Sequence, residues 1–447
     1  MTAAEAPPFD PDAIAELRLG AASIDIVCGR ISLGYTLGTG LDFNEIVDLG
    51  APIPAMNPTG TRALQRAVDV LHLFAGVSYF KAAFPPRLDP AGATLTPRLA
   101  ALVNDVYRHG LAEAALRNDL PAPVDLGLTG TAVHAAMALG LGRRALVSVG
   151  GGKDSIVALE ETRRDCDVLL FSVGDARPVR ATADVSGLRR RSITRRIDPA
   201  LIDLNRRGAR NGHIPVTAIT SVLAVIVALI EECDEVIMAN ERSASVGSTD
   251  WHGISVNHQW SKGWDFERAF ADLVREEIAS DLAYFSVLRS WSELAIAQRF
   301  ARLPEYHRAF TSCNRVFRLR DATATWCGEC DKCRFVTLVL APWMVPAEVA
   351  AIVGRNLLAD CDQIDGFRAL LGIEDAAKPF DCVGEIEESR AALQLLSGNR
   401  QWMALPMVAQ LRSEMPPLST AAVEAILSPS GPDGIPERHA AVRRAFH

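Results

Sequence analysis

Ala145-Leu146-Val147-Ser148-Val149-Gly150-Gly151-Gly152-Lys153-Asp154-Ser155 is the stretch from which the rest of the chain is read. The apolar run Ala145 to Val149 predicts a buried strand, the three glycines a tight turn, and Ile156 to Glu160 a helix. Glycine lets backbone N–H groups come close to a ligand, and a helix start presents the positive end of its dipole, so a phosphate fits there. Lys153 can add a point charge, and Asp154 can hold a magnesium ion or order the turn. Three glycines alone are equally consistent with a plain strand-to-helix turn. The attached Lys-Asp-Ser favours a nucleotide site.

Downstream, strands and helices alternate. Val168 to Val173 reads as a second strand, Ser192 to Ile197 as a third, Val216 to Glu232 as a long helix and Glu235 to Ala239 as another strand. This order predicts an α/β fold, a doubly wound parallel sheet with helices on both faces, over residues 141–310. Ligands of such sheets sit at the carboxyl ends of the strands. Three strand exits then face one site: Gly150 to Ser155, Val173-Gly174-Asp175 and Asn240-Glu241-Arg242-Ser243.

Residues 1–140 read as a separate α+β region. Ser23 to Val47 alternates apolar and polar residues between glycines, as in antiparallel hairpins. Thr61 to Ala83 and Pro97 to Leu116 follow as helices, and Tyr79 and Lys81 end the first of them within reach of a ligand or simply snorkelling. Pro121 and Pro123 mark the linker. Residues 311–447 carry a cysteine cluster and then a mostly helical region, with amphipathic stretches at Ala347 to Leu358 and Gly384 to Leu396. The Pro- and Gly-rich segment Ser428 to Gly434 has the composition of a mobile tail.

Composition narrows the class. The 447 residues are 49% hydrophobic, enough for large cores, and the net charge of −8 disfavours a chain-wide nucleic-acid surface. No uncharged apolar run reaches the roughly eighteen residues of a membrane span, and the N-terminus lacks a signal core, so a cytoplasmic protein is expected. Nine cysteines are no disulfide framework in that compartment. Within this acidic chain, residues 177–210 hold ten arginines against three aspartates. That segment reads as a solvated face, as an anion pocket for diphosphate or carboxylates, or as an RNA contact.

Two further patterns carry chemistry. Asn240 to Lys262 is too polar and glycine-containing for a regular element, and it collects acid–base groups: Glu241, His252, His258 and Lys262, with His213 a weaker candidate upstream. Cys327, Cys330 and Cys333 stand at three-residue intervals, and Cys313 lies fourteen residues before the first of them. Four thiolates so spaced suit a closed tetrahedral zinc site of structural type; an iron–sulfur cluster is the lesser alternative.

The glycine-rich stretch resembles the PP-loop of ATP pyrophosphatases, Ser-Gly-Gly-x-Asp-Ser, with Gly150 in place of the first serine and Ser148 two residues earlier. The cysteines resemble the zinc site of 7-cyano-7-deazaguanine synthases, another PP-loop family. Together with Asn240 to Ser243, Val256 to Lys262 and Lys378 to Gly384, they make the chain similar to the UDP-N-acetyl-α-D-muramoyl-L-alanyl-L-glutamate epimerase family, MurL. The resemblance implies a PP-loop, HUP-like sheet and a peptidoglycan-precursor epimerase. That enzyme would convert the terminal L-glutamate of the UDP-muramoyl dipeptide to D-glutamate, consuming ATP with Mg2+ and releasing AMP and diphosphate. It also implies ATP contacts at Ser148, Gly150, Gly151, Gly152, Lys153, Asp154 and Ser155, with Ser172 and Gly174 near the adenine. A structural Zn2+ would sit at Cys313, Cys327, Cys330 and Cys333. His258, His252, Glu241 and Lys262 are the candidates for moving the α-proton. Two rivals remain: a PP-loop enzyme that amidates, cyanates or thiolates a nucleobase or tRNA, and a non-enzymatic nucleotide-binding protein.

Overall fold

The computed structural model describes residues 8–247, 249–313, 315, 326–373, 379, 381 and 383–444. Its eleven strands are β1 (Glu16–Asp25), β2 (Arg30–Leu37), β3 (Leu41–Asp48), β4 (Arg87–Asp89), β5 (Gly142–Ser148), β6 (Asp167–Val173), β7 (Arg190–Arg196), β8 (Cys233–Met238), β9 (Thr249–Trp251), β10 (Ile254–Val256) and β11 (Ala283–Ser286). Nine of them form one mostly parallel sheet, in the order β11-β8-β5-β6-β7-β3-β2-β1-β4, and β9 and β10 form a separate hairpin. The fold is thus mixed α/β, as the alternation of elements predicts.

The chain divides into two compact units. One comprises Met1–Arg144, Arg191–Val236 and Thr249–Tyr284; the other comprises Ala145–Arg190, Ile237–Ser248 and Phe285–His447.

In the first unit, β1, β2 and β3 form an antiparallel meander, with Leu33 opposite Ala22 and Glu45. Alternation puts Ile31, Leu33, Tyr35 and Leu37 of β2 in the core. β3 then pairs antiparallel with β7, Val47 facing Arg195, a partnership the sequence pattern does not reveal. Arg195 reaches the buried Glu45 with two hydrogen bonds, of 2.7 and 2.9 Å, and Ser78 Oγ with a third of 2.8 Å. Helix α1 (Pro58–Ala75) packs along the apolar helix Val216–Ile230.

Both helices expected before the linker are broken at glycines. The first ends at Ala75, and α2 (Val77–Phe80) restarts it. A side chain at Gly76 would meet the Tyr107 hydroxyl, which donates to the Leu73 carbonyl at 2.9 Å. The second splits into α3 (Pro97–Arg108) and α4 (Ala112–Arg117) around Gly110, which packs against Pro215 too closely for any β-carbon. The loop at 240–262 is also more regular than its composition suggests. His252 and Gly253, at φ 49° and 75°, form the turn of the β9–β10 hairpin.

In the second unit, α5 (Lys153–Thr162) follows β5 and packs on α6 (Glu293–Phe300). The buried pair Arg299–Glu161, at 2.5 Å, ties the two helices. Helix Asp331–Leu340 packs on α6 and on the helix Ile386–Leu395, so this region is mostly helical, as expected. The stretch read as a mobile tail is anchored: Ser430 N–H donates to Ser290 O at 2.9 Å, and Arg242 donates to Ser428 O at 3.1 Å.

Candidate functional site

The glycine turn of the second unit is shaped by close approach. Gly151 has φ +80°, and a β-carbon there would lie 2.7 Å from Pro178 Cβ. Gly152 stands before α5 with no side chain capping the helix, so the positive helix start carries only backbone N–H groups. Ser155 donates to Gly152 O at 2.9 Å and holds the first turn. At the exits of β5 and β8, Ser148 Oγ, Asn240 Nδ2 and Ser243 Oγ are buried with no hydrogen-bond partner among the described residues. Orphaned buried polar atoms at strand exits, together with a helix start that has no side-chain cap, are features that fit a polar ligand.

Lys153 lies inside. Its side chain is 0% exposed, and its ammonium pairs with Asp154 and Glu293. Lys332 approaches Glu293 from its other oxygen at 3.3 Å. Burial pulls the Lys153 ammonium below its ordinary pKa and Lys332 adds to this, while Asp154 and Glu241 oppose it. Glu388 accepts the backbone N–H groups of Glu293 and Glu385, at 2.9 and 2.8 Å. Burial, joined by the charges of Glu385 and Glu241, pushes it up to about 7. At the second strand exit, Ser172 Oγ accepts from Arg190 at 3.1 Å, and Asp175 pairs with both Arg190 and Arg180.

The four cysteines converge. Sγ separations are 3.9 Å for Cys313–Cys330, 3.8 Å for Cys327–Cys333 and 3.5 Å for Cys330–Cys333, and all four sulfurs lie within 4.8 Å of one another. A tetrahedron with Zn–S bonds of about 2.3 Å has edges near 3.8 Å, so the donor set fits zinc. Backbone N–H groups of Cys327 and Glu329 point at Cys313 and Cys327 Sγ, at 3.4 and 3.5 Å, as suits thiolates.

A second cluster lies in the first unit. Glu113 of α4 and His258, after the hairpin, meet at 2.5 Å between Oε2 and Nδ1. Arg117 holds the other carboxylate oxygen at 2.9 Å. The ring of His213 lies against that of His258, 4.0 Å between centroids. Gly212 over Ala114 and Gly110 under Pro215 leave no space for β-carbons, which brings the His213 loop down on α4. Burial first, and the His258 charge second, push His213 down to about 4. Burial would raise Glu113, but the His258 hydrogen bond and the charges of His258, His213 and Arg117 outweigh it and hold the carboxyl below its ordinary range. Lys262 donates to Gln259 Oε1 at 3.2 Å on the same loop.

The MurL N-terminal domain family matches residues 8–287, and the MurL C-terminal domain family matches residues 309–425. The chain belongs to the MurL family. It is 45% identical over 430 residues to the UDP-N-acetyl-alpha-D-muramoyl-L-alanyl-L-glutamate epimerase of Salinispora tropica, covering 94% of this chain and 93% of the relative. Proteins of the same name from a Micromonospora species and from Xanthomonas oryzae pv. oryzae are 46% and 44% identical, over 94% and 88% of this chain and 95% and 88% of theirs. No helix among the described residues is long and apolar enough to cross a membrane.

In this MurL chain the acid–base candidates divide between the units. Glu241 is buried in the second, its carbonyl taking Arg289 at 2.9 Å, whereas His258 and Lys262 belong to the first. His252 is exposed at the hairpin turn. The arginine run spreads over several carboxylates: Arg191 to Glu231, Arg195 to Glu45, Arg206 to Asp203 and Arg210 to Asp12. Of the Lys378 to Gly384 motif, Lys378, Phe380 and Cys382 lie outside the described residues. Glu113 escapes sequence reasoning, since a glutamate four residues before an arginine on a helix looks like an ordinary surface pair.

Proposed function

We propose that this MurL protein is an ATP-dependent epimerase that inverts the terminal L-glutamate of UDP-MurNAc-L-Ala-L-Glu to D-glutamate. The observation that carries the reading is the likeness, over nearly the whole chain, to proteins bearing that name. In this reading the second unit is a PP-loop ATP pyrophosphatase unit. Gly150 to Gly152, Ser155 and the α5 start hold the phosphates, with Ser148 beside them. Lys153 and Asp154 serve the charge of the phosphates and of Mg2+, Ser172 and Gly174 lie toward the adenine, and the four cysteines hold a structural Zn2+.

The chemistry explains why ATP is consumed. A carboxylate resists loss of its α-proton, because a second negative charge would build beside the first. Attack of a glutamate carboxylate oxygen on the α-phosphorus of ATP forms an acyl-adenylate and expels diphosphate. The acyl group no longer carries that charge, so an ordinary base can take the α-proton. Return of a proton to the opposite face inverts the carbon. Water splits the acyl–phosphate bond whether or not the carbon has inverted, giving AMP with the D-glutamyl product after inversion and with the L-glutamyl dipeptide before it. His258 is the first candidate for the base, with His252, Glu241 and Lys262 behind it.

The test is incubation of the protein with ATP, Mg2+ and the UDP-muramoyl-L-alanyl-L-glutamate precursor, followed by chiral analysis of the glutamate released on hydrolysis. D-Glutamate together with stoichiometric AMP is expected. L-Glutamate recovered unchanged without AMP sinks the reading.

A further inference from the structure

We infer that Glu113, His258 and His213 form the proton-transfer site of the first unit, with His258 exchanging the substrate's α-proton and Glu113 and His213 positioning it. The inference rests on the epimerase reading above and adds two residues to it.

The geometry is that of an oriented base. Glu113 is 6% exposed, and its carboxylate accepts Nδ1–H of His258 at 2.5 Å. A carboxylate on Nδ1–H fixes the tautomer and directs proton exchange to Nε2. Glu113 is itself fixed: Arg117 holds its second oxygen, and α4 carries both residues one turn apart. His258 keeps 16% of its side chain exposed, so a substrate can reach the ring.

His213 limits what His258 can do. Two ring centroids 4.0 Å apart leave no space for a carbon between them, which would need about 7 Å. The two imidazoles therefore cannot take opposite faces of one α-carbon, and His213 is a positioning residue, not the second acid. Its burial keeps it neutral at neutral pH.

The same donor set, with ligand atoms within 4.8 Å, is also that of a divalent-cation site. The observations favour proton transfer. Ligands bound at about 2.0 Å to one ion normally stand about 3 Å apart, farther than Glu113 and His258. Arg117 and Lys262 bring positive charge to the cluster, acting on Glu113 and His213.

Two half-reactions are followed on the full-length protein: AMP release with the UDP-muramoyl dipeptide, and incorporation of solvent deuterium at the glutamate α-carbon, measured by mass spectrometry. Glu113→Gln is expected to slow deuterium incorporation about 100-fold, the range of an oriented general base. AMP release should stay within about three-fold and the dipeptide KM nearly unchanged, and Glu113→Asp should recover part of the loss. His213→Phe should slow incorporation less, about ten-fold, again with AMP release kept. Undiminished incorporation in Glu113→Gln overturns the inference, as does a parallel loss of both half-reactions in a variant that still melts like the parent. If Glu113→Gln does not fold, His258→Gln is judged by the same pair of readouts. A metal ion bound beyond that of the four cysteines, and lost in His213→Ala, also overturns it. A wild-type protein that makes neither AMP nor exchange removes the epimerase reading itself; an active wild type with unaffected variants removes only this site.

Discussion

The backbone N–H of Thr311 donates to the carbonyl of Gly151 at 3.0 Å. Two residues later the chain reaches Cys313, and Ser312 Oγ lies 3.2 Å from where a Gly152 β-carbon would be. The segment that opens the thiol cluster thus braces the glycine turn from behind. Metal at the cysteines and order in the turn should be coupled. Purified protein should contain about one zinc per chain, and Cys327→Ser should abolish it. The variant should lose more than about 4 kcal/mol, since binding of a structural metal contributes directly to folding, and should bind ATP more weakly. Elemental analysis, thermal unfolding and nucleotide titration read the three effects. Full ATP affinity in a zinc-free variant would uncouple them.

Gly150 and Gly151 are neighbours with opposite tolerance. Gly151 needs positive φ and sits on Pro178, so Gly151→Ala should be destabilising by about 2 kcal/mol or more, with AMP release lost. At Gly150 nothing lies within 4 Å of an added β-carbon and φ is not positive. Gly150→Ser, which restores the serine of the PP-loop pattern, should leave stability within about 0.5 kcal/mol and keep AMP release. Urea midpoints and AMP assays compare the two. A destabilised Gly150→Ser would contradict the open space at that position.

Lys153 and Glu293 form a buried pair that removal of one partner should expose. Lys153→Met removes the buried ammonium that pairs with Asp154 and Glu293, and should cost about 3–5 kcal/mol. Adding Glu293→Gln should recover part of that loss, because the second change removes the uncompensated charge. A double-mutant cycle by urea unfolding measures the coupling. Strictly additive single effects would mean that the two side chains do not share an interaction.

The glycine turn and the cysteine site are legible in the chain because each rests on close spacing: Gly150 to Ser155 in one, Cys327 to Cys333 in the other. The β3–β7 pairing is not legible. Alternation in Phe43 to Val47 says which side chains face inward, not which strand lies alongside. Gly76 and Gly110 are visible as glycines, but their reasons, Tyr107 and Pro215, lie 31 and 105 residues away. The Glu113–His258 contact spans 145 residues. His258 drew notice only because its loop is rich in acid–base groups, and Glu113 has no local signal at all.

Acid should weaken the first unit through His213. In the folded protein it takes a proton only near pH 4, against 6.5 for an ordinary histidine. Between those values the unfolded chain binds a proton that the folded chain refuses, so stability is full above pH 6.5 and falls as the pH drops toward 4. The whole effect is about 3.5 kcal/mol, since the two values differ by about 2.5 at roughly 1.4 kcal/mol per pKa unit. Glu113 acts with the same sign at lower pH, since its depressed carboxyl contributes stability above its ordinary 4.5 that is lost once it is protonated. Glu388 acts the other way: raised to about 7, it contributes stability below pH 4.5 that is lost as the pH rises through 7. The two limbs oppose each other between pH 6.5 and 4.5, so His213→Gln, which keeps only the Glu388 limb, should raise the urea midpoint of the variant relative to the parent as the pH falls from 6.5 to 4. Equal slopes for parent and variant from pH 6.5 to 4 would show that His213 is not the group that resists the proton, and would move the acid sensitivity elsewhere in the unit.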